Sequence, residues 1–249
     1  MIPRRLFRTI HILACLSVCL PLAATPGSAA HETSTASPAV NPVALLLKME
    51  EVYNGIESYR AVVVSRERVR SVLQPEDKTL FEFKKPFELF MTWIEGPKKG
   101  NRLYFRSGWN EDRIRLRQAG ILGSIPINLD PASSLLRNGT NHTIREAGLG
   151  FFIQTVTSNV RRAQAAGILE IRPLGKRTVE ARPVHALDVH IGSKPGNGYY
   201  CRRLLIDIDA EFHLPIRFTT FDWDDNIVEQ FTYRDLTLNP PLPDLERKI

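Results

Sequence analysis

Residues 79–94 alternate apolar and polar side chains, and this pattern restricts the possible fold most strongly. Successive side chains of a strand point to opposite faces of a sheet, so the pattern predicts a strand with one apolar and one solvated face. The apolar set is Phe81, Phe83, Phe87, Leu89, Met91 and Trp93, and the polar set is Glu82, Lys84, Glu88 and Thr92. Neighbouring strands are predicted at Tyr59–Val72, Asn101–Ser107 and Arg113–Arg117. Proline, glycine and aspartate mark the turns, which indicates an antiparallel meander.

Two helices are predicted outside this meander. Asn41 is a suitable N-cap and Pro42 suits the first helical turn, after which apolar residues recur at helical spacing as far as Gly55. The second helix is predicted at Leu149–Ala166, where Gly167 ends it. Both helices have an apolar side that must be covered by other elements.

A second set of strands follows the second helix. These strands are predicted at Leu169–Arg172, Val179–Ile191, Tyr199–Ile208, Pro215–Trp223 and Ile227–Leu236, with a tight hairpin at Asp224–Asn226. Ala119–Leu136 is interrupted by glycine and proline and is predicted to be a loop with room for a short helix. The predicted fold is α+β and mainly antiparallel: a strongly curved half-barrel sheet of about nine to eleven strands, with two or three helices on its concave side.

The first 30 residues have the order of a secretory signal peptide. Arg4, Arg5 and Arg8 precede an apolar run from Ile10 to Ala24, and small residues then offer a cleavage site after Ala30. The polar residues 31–40 are predicted to form a flexible tether, and residues 41–249 a single domain. We therefore expect a periplasmic protein with a cleaved signal peptide. The adjacent arginines leave both Sec and twin-arginine export open.

The charge of the chain does not indicate a nucleic-acid partner. Cleavage after residue 30 leaves 30 basic and 27 acidic residues, a net charge of +3. Arginines nevertheless alternate along three predicted strands, at positions 66, 68 and 70, 102 and 106, and 113, 115 and 117. One interpretation is a basic face for anionic lipid headgroups, with at most peripheral membrane contact. The other is a set of cross-strand ion pairs with Glu82 and Glu88.

No metal site is predicted. His185 and His190 are an odd number of residues apart, so a regular strand places them on opposite faces, where they cannot bind one zinc ion. His190 shares a face with Asp188, which indicates a surface pair. The segment that begins at Asp222 resembles a calcium loop, but it has Ile227 where glycine is required and Tyr233 where glutamate is required.

No catalytic centre is predicted, and no cofactor is expected. The sequence has no Gly-x-Ser-x-Gly elbow, and Cys201 lies within a predicted strand without a base partner. The glycine-rich residues 192–198 join two strands rather than opening a helix, which argues against a phosphate loop. His142 lies in a polar loop before the second helix, where a capping or hydrogen-bonding role is favoured over catalysis.

Several stretches resemble known families. Residues Phe83–Trp93 and Leu103–Asn110 resemble the lipoprotein-carrier superfamily of LolA, LolB and RseB. Asn141–Leu149, Leu214–Arg217 and Tyr233–Asn239 are more closely similar to the bacterial family called domain of unknown function 1571. The resemblance implies a half-barrel with a helical lid, a hydrophobic cavity between them, and no enzymatic activity.

The favoured function is therefore binding or carrying a hydrophobic, lipid-like ligand or a lipidated protein. The predicted ligand-binding residues are Phe83, Phe87, Leu89, Met91, Trp93 and Phe105. The same apolar face can also be an ordinary closed core. A sensor or scaffold that binds a protein partner in the cell envelope is the alternative function, and an enzyme of unrecognised type stays open as a third.

Overall fold

The structure is a computed structural model, and it describes residues 41–137 and 139–249. The predicted signal peptide and tether, residues 1–40, lie outside the described residues. The described part contains two α-helices, α1 (Pro42–Asn54) and α2 (Leu149–Ala165). Its strands are β1 (Ser58–Val69), β2 (Val72–Leu73), β3 (Asp77–Lys84), β4 (Glu88–Glu95), β5 (Arg102–Arg106), β6 (Ile114–Arg117), β7 (Ile127–Leu129), β8 (Leu169–Val179), β9 (Arg182–Ile191), β10 (Arg203–Asp209), β11 (Pro215–Phe221) and β12 (Ile227–Leu238).

The twelve strands of this part of the chain form one sheet, in the order β7-β6-β5-β4-β3-β1-β12-β11-β10-β9-β8, with the short β2 paired to β1. Each strand pairing is antiparallel, and β1 joins the two halves of the sheet by pairing with both β3 and β12. The sheet is open and curled. The α+β class and the curved antiparallel sheet are as predicted. Compared with the nine predicted ranges, three strands are additional. Two of them, β2 and β7, have only two and three residues and are too short to give a sequence pattern, and the third arises because residues 79–94 form two strands.

The two helices lie on the concave side of the sheet and form its core. The Asn41 side chain accepts hydrogen bonds from the backbone N–H groups of Val43 and Ala44, at 3.0 and 3.2 Å, which explains why α1 begins where predicted. Helix α2 stacks Phe152 on Phe218 of β11, with ring centroids 3.6 Å apart. No helix among the described residues is long and apolar enough to span a bilayer.

The strand predicted at 79–94 is wrong as a single element, because the chain turns back at residues 85–87. Strands β3 and β4 form a hairpin in which Phe81 lies opposite Met91 and Phe83 lies opposite Leu89. Opposed residues of an antiparallel pair point to the same face, so these four side chains still share one face. Pro86 lies in the turn, where its missing N–H costs no ladder hydrogen bond.

The convex face of this hairpin is not solvated as predicted. Phe90 and Tyr104 are buried there beneath the C-terminal tail, and Leu245 of that tail is buried against them. Glu82, only 1% exposed, is paired with Lys248 of the tail. A residue that alternation assigns to solvent is therefore buried by a segment that lies far away in sequence.

Among the described residues, the arginines do not form the expected cross-strand ion pairs with Glu82 and Glu88. Glu88 accepts a hydrogen bond from the hydroxyl of Tyr104 at 2.9 Å. Arg106 pairs with Glu246 of the tail at 3.6 Å, and Arg66 donates to Gln230 at 2.5 Å. Arg66 and Arg106 are thus engaged by a neutral partner and by the tail, respectively.

Three further boundaries differ from the predictions. The loop at 119–136 includes β7 and a 3-10 helix at Ile121–Ser124. Strand β8 continues to Val179, and a two-residue turn separates it from β9. Strand β10 begins at Arg203 rather than Tyr199, so Cys201 precedes the strand instead of lying within it.

Candidate functional site

A cavity of about 210 Å³ lies between the concave face of the sheet and the segment that leads from β7 into α2. Apolar side chains form most of its wall, among them Val63, Phe81, Leu103, Ile114, Phe218 and Phe231. Leu135, Leu136 and Ile144, from the segment between β7 and α2, also line it. A concave, mostly apolar space with a few converging polar groups is typical of small-molecule sites.

The six predicted ligand-binding residues divide between this cavity and the packed core. Met91 and Trp93 line the cavity. Phe83, Leu89 and Phe105 are buried in the core. The ring of Phe87 meets those of Phe83 and Phe105 edge-on, with centroids 5.4 and 5.8 Å away. Ligand binding by these residues stays a prediction.

Two acidic residues meet at the cavity wall. Glu67 of β1 lies directly opposite Glu229 of β12, and both are buried. The Thr140 hydroxyl donates a hydrogen bond to Glu67 at 2.8 Å, and the backbone N–H of Asn141 donates another at 2.8 Å. These bonds hold the segment after β7 against the sheet. Like charges directly opposite each other destabilise a sheet, so this pair is unusual.

His142 and Tyr200 complete the polar cluster. His142 Nε2 lies 2.8 Å from Glu229 Oε2, and the Tyr200 hydroxyl donates to Glu229 Oε1 at 2.5 Å. The other ring nitrogen, His142 Nδ1, faces Glu146 Oε2 at 3.8 Å. His142 therefore has the hydrogen-bonding role predicted for it, while the side chain of Thr143 caps the next short helix.

The cluster favours a protonated histidine and a neutral tyrosine. Burial lowers the pKa of His142, but its hydrogen bond to Glu229 and the charges of Glu229, Glu67 and Glu146 outweigh burial, so this pKa lies above the usual value. Burial and the charge of Glu229 raise the pKa of Tyr200. Burial, assisted by Glu229, also raises the pKa of the Cys201 thiol to about 12, so this cysteine is a poor nucleophile at neutral pH.

Sequence reasoning found His142 but missed Glu67, Glu229 and Tyr200. A local signal exists for both glutamates. Glu67 has the parity of the cavity-side residues Val63 and Ser65, not that of the arginines beside it, and Glu229 has the parity of Phe231 and Tyr233. Burial of an acidic residue on the apolar face of a strand costs free energy, and such a costly residue indicates a candidate functional site. Nothing local indicates that the two glutamates face each other, since 162 positions separate them.

Comparison with the curated proteins finds no match. Among solved structures, the lipoprotein LppX of Mycobacterium tuberculosis is 15% identical, with 82% of this chain and 99% of that chain covered and a TM-score of 0.48. For the MucA/MucB complex of Pseudomonas aeruginosa, the identity is 12%, the match covers 82% of this chain and 59% of that chain, and the TM-score is 0.45. For a LolA superfamily protein of Nitrosomonas europaea, the identity is 12%, the match covers 83% of this chain and 96% of that chain, and the TM-score is 0.37. This chain thus spans about three fifths of the MucB chain. At these identities and TM-scores, the likenesses assign no function.

The sequence itself gives the family. The model described as "Protein of unknown function (DUF1571)" matches residues 56–247, from the beginning of the sheet to the C-terminal tail. This range includes Glu67, His142, Tyr200 and Glu229. Because the match covers far more than half of the chain, the protein belongs to the DUF1571 family.

Proposed function

We propose that this protein is a non-catalytic binding protein of the cell envelope that holds a hydrophobic, lipid-like ligand, free or attached to a protein. The observation that supports this function is the cavity, which remains open between the curled sheet and the segment that covers it, beside a packed apolar core. Periplasmic location rests on the signal-peptide pattern of residues 1–30.

The size and chemistry of the cavity suit part of an amphiphile. Its volume of about 210 Å³ exceeds that of an engineered cavity of about 150 Å³ that accepts benzene. The apolar wall at Phe81, Met91 and Leu103 would contact an acyl chain, and burial of apolar surface would drive binding. The polar cluster at Glu67 and Glu229 would meet the polar end of the ligand.

A blocking substitution tests the proposal. Met91→Trp places a larger side chain at the cavity wall, so the affinity for a fluorescent fatty-acyl probe should fall by more than about tenfold, equivalent to about 1.4 kcal/mol. Fluorescence titration of the purified protein measures this affinity. Leu174→Trp is the matched control, because Leu174 on β8 is 50% exposed and does not line the cavity. Equal probe binding by both variants, or no binding by the wild type, would overturn the proposal.

One observation favours the alternative, a scaffold for a protein partner. Ile121, Ile125 and Leu135 are 94%, 75% and 59% exposed, and all three lie in the segment around the edge strand β7. Clustered exposed apolar residues mark interaction surfaces. If Ile125→Ser, at a residue that does not line the cavity, abolishes co-purification of an envelope protein while acyl-probe binding is unchanged, the scaffold function is favoured.

A further inference from the structure

Within residues 41–137 and 139–249, the buried acidic pair at the cavity wall has only His142 as a hydrogen-bonded partner that can be cationic. Glu67 and Glu229 receive hydrogen bonds from Thr140, Asn141, His142 and Tyr200. Of these donors, only His142 can carry a positive charge. Two carboxylates therefore face at most one imidazolium. A buried carboxylate without a compensating charge is costly, which indicates that a cation belongs at this position.

The nearby basic side chains that the structure describes are engaged elsewhere. Lys98, which also lines the cavity, pairs with Asp77 at 2.9 Å. The guanidinium of Arg66 donates to Gln230, and that of Arg68 donates to the carbonyl oxygens of Ile227 and Ser71. Neither arginine is hydrogen-bonded to Glu67, although both adjoin it in sequence. A bound cation would therefore supply the charge that the described side chains do not.

The three side chains offer donor atoms suited to a transition metal. One atom each from Glu67, Glu229 and His142 lie within 4.8 Å of one another. Zinc binds carboxylate oxygen and imidazole nitrogen at about 2.0–2.2 Å, so donor atoms this close together can share one ion after a modest contraction of the cluster. Calcium and magnesium prefer oxygen ligands alone, and the imidazole argues against them.

The surroundings of His142 have the features of a metal ligand. Its Nε2 points to the two glutamates, while its Nδ1 faces the carboxylate of Glu146 at 3.8 Å. Histidines that ligate metals commonly direct their second nitrogen to a carboxylate, which fixes the tautomer that presents the metal-binding lone pair. Tyr200 and Thr140, each hydrogen-bonded to one glutamate, hold the carboxylates in place.

We propose that Glu67, Glu229 and His142 bind a divalent zinc ion at the wall of the cavity. The ion neutralises both carboxylates and replaces the hydrogen bond between His142 Nε2 and Glu229. Three protein ligands leave a fourth position of a tetrahedral zinc ion open. All three residues line the cavity, so the ion enters from there and its open position faces a ligand in the same space.

Calorimetric titration of the EDTA-treated protein with zinc chloride tests the proposal. The wild type should bind one zinc ion, and Glu229→Gln and His142→Ala should each weaken binding by more than about tenfold. Cobalt should give the visible absorption of a tetrahedral site in the wild type and not in these variants. His190→Ala is the matched control, because His190 also pairs with a carboxylate, Asp188, at 2.9 Å, but does not line the cavity.

Thermal unfolding separates loss of the site from loss of the fold. Zinc should raise the melting temperature of the wild type and of His190→Ala, because a ligand that binds only the folded state stabilises it. Folded Glu229→Gln should show no such increase.

If the wild type binds zinc no better than Glu229→Gln and His142→Ala, the site does not exist. Tighter binding of magnesium or calcium than of zinc would overturn the zinc assignment. Glu229-dependent binding of dodecylamine with no zinc binding would show that an organic cation occupies the position instead.

Discussion

At the residue scale, Asp209 shows how a buried charge is held in this sheet. Its side chain has no exposed surface, and it pairs with Arg182 of β9. The backbone N–H groups of Glu211 and Phe212 also donate to its carboxylate, at 2.9 and 2.7 Å. Burial raises the pKa of Asp209, but the hydrogen bonds from Arg182, Phe212 and Glu211 outweigh burial, so this pKa lies below the usual value.

The lowered pKa makes stability depend on pH. A carboxyl group whose pKa is lower in the folded than in the unfolded state stabilises the fold above its unfolded pKa, near 3.9, and loses this contribution as pH falls through the folded value. Asp209→Asn should therefore reduce the free energy of unfolding at pH 7 by about 1.5–3 kcal/mol, because a hydrogen-bonded charge is lost. It should also flatten the decline of stability below about pH 4. Urea unfolding at a series of pH values measures both effects.

The control for this prediction is Asp224→Asn, in the exposed turn between β11 and β12. This variant should stay within about 0.5 kcal/mol of the wild type at pH 7, as surface substitutions usually do. A wild-type pH profile in Asp209→Asn would show that Asp209 does not contribute to acid unfolding.

At the scale of elements, helices were easier to predict than strand ends, for a physical reason. A cap fixes the beginning of α1, because Asn41 and Pro42 act on their own neighbours in sequence. The β3–β4 turn has no comparable local signal in the alternation of apolar and polar residues. Odd-numbered residues face odd-numbered residues across this hairpin, as in the pairs 81 with 91 and 83 with 89. The apolar residues therefore stay at odd positions on both sides of the turn, and residues 79–94 resemble one strand.

Buried surfaces formed by distant segments could not be predicted locally. Glu82 lies on the polar side of the alternation, which predicts solvent exposure, yet the tail covers it with Lys248, 166 positions later. The opposed Glu67 and Glu229 depend in the same way on the pairing of β1 with β12. Local alternation determines which face a residue occupies, but only the complete strand order determines what covers that face.

The beginning of α2 depends on a glycine. Gly148 has φ +94° and ψ 179°, a conformation that is essentially restricted to glycine, and a Cβ there would collide with the hydroxyl of Tyr59. The same hydroxyl accepts a hydrogen bond from the N–H of Leu149 at 3.0 Å, so it cannot move away without leaving that group unpaired. Gly148→Ala should reduce the free energy of unfolding by about 2–4 kcal/mol, from backbone strain and overpacking together.

Gly167→Ala, beyond the other end of α2, isolates the contribution of strain. Gly167 also has positive φ, at +67°, but a Cβ there would meet no atom within 4 Å. Its substitution should cost about 1–2 kcal/mol from the left-handed conformation alone. Denaturant unfolding of both variants gives the comparison. Equal losses would mean that contact with Tyr59 does not restrict Gly148.

At the scale of the whole molecule, the concave face has a packed and a hollow region. The turn end of the β3–β4 hairpin is packed, where Phe83, Phe87 and Phe105 meet edge-on beneath the helices. The open end is hollow, where Thr79, Met91 and Trp93 line the cavity. One sequence pattern therefore supplies both a core and a site. Alternation alone does not distinguish them, since the division depends on where α1, α2 and the segment after β7 lie.

This division predicts opposite effects for two substitutions on one face. Phe105 has no exposed surface, so Phe105→Ala should open a void and cost about 3–5 kcal/mol of unfolding free energy, while the folded fraction keeps its affinity for an acyl probe. Met91 is partly exposed at the cavity wall, so Met91→Ala enlarges an existing space and should cost only about 1–2 kcal/mol. It should nevertheless weaken probe binding, because the wall loses apolar contact. Urea unfolding and probe titration of both variants measure the two effects. Losses of several kcal/mol in both, with unchanged probe affinity in Met91→Ala, would indicate a closed core at Met91 and would remove the basis for ligand binding in the cavity.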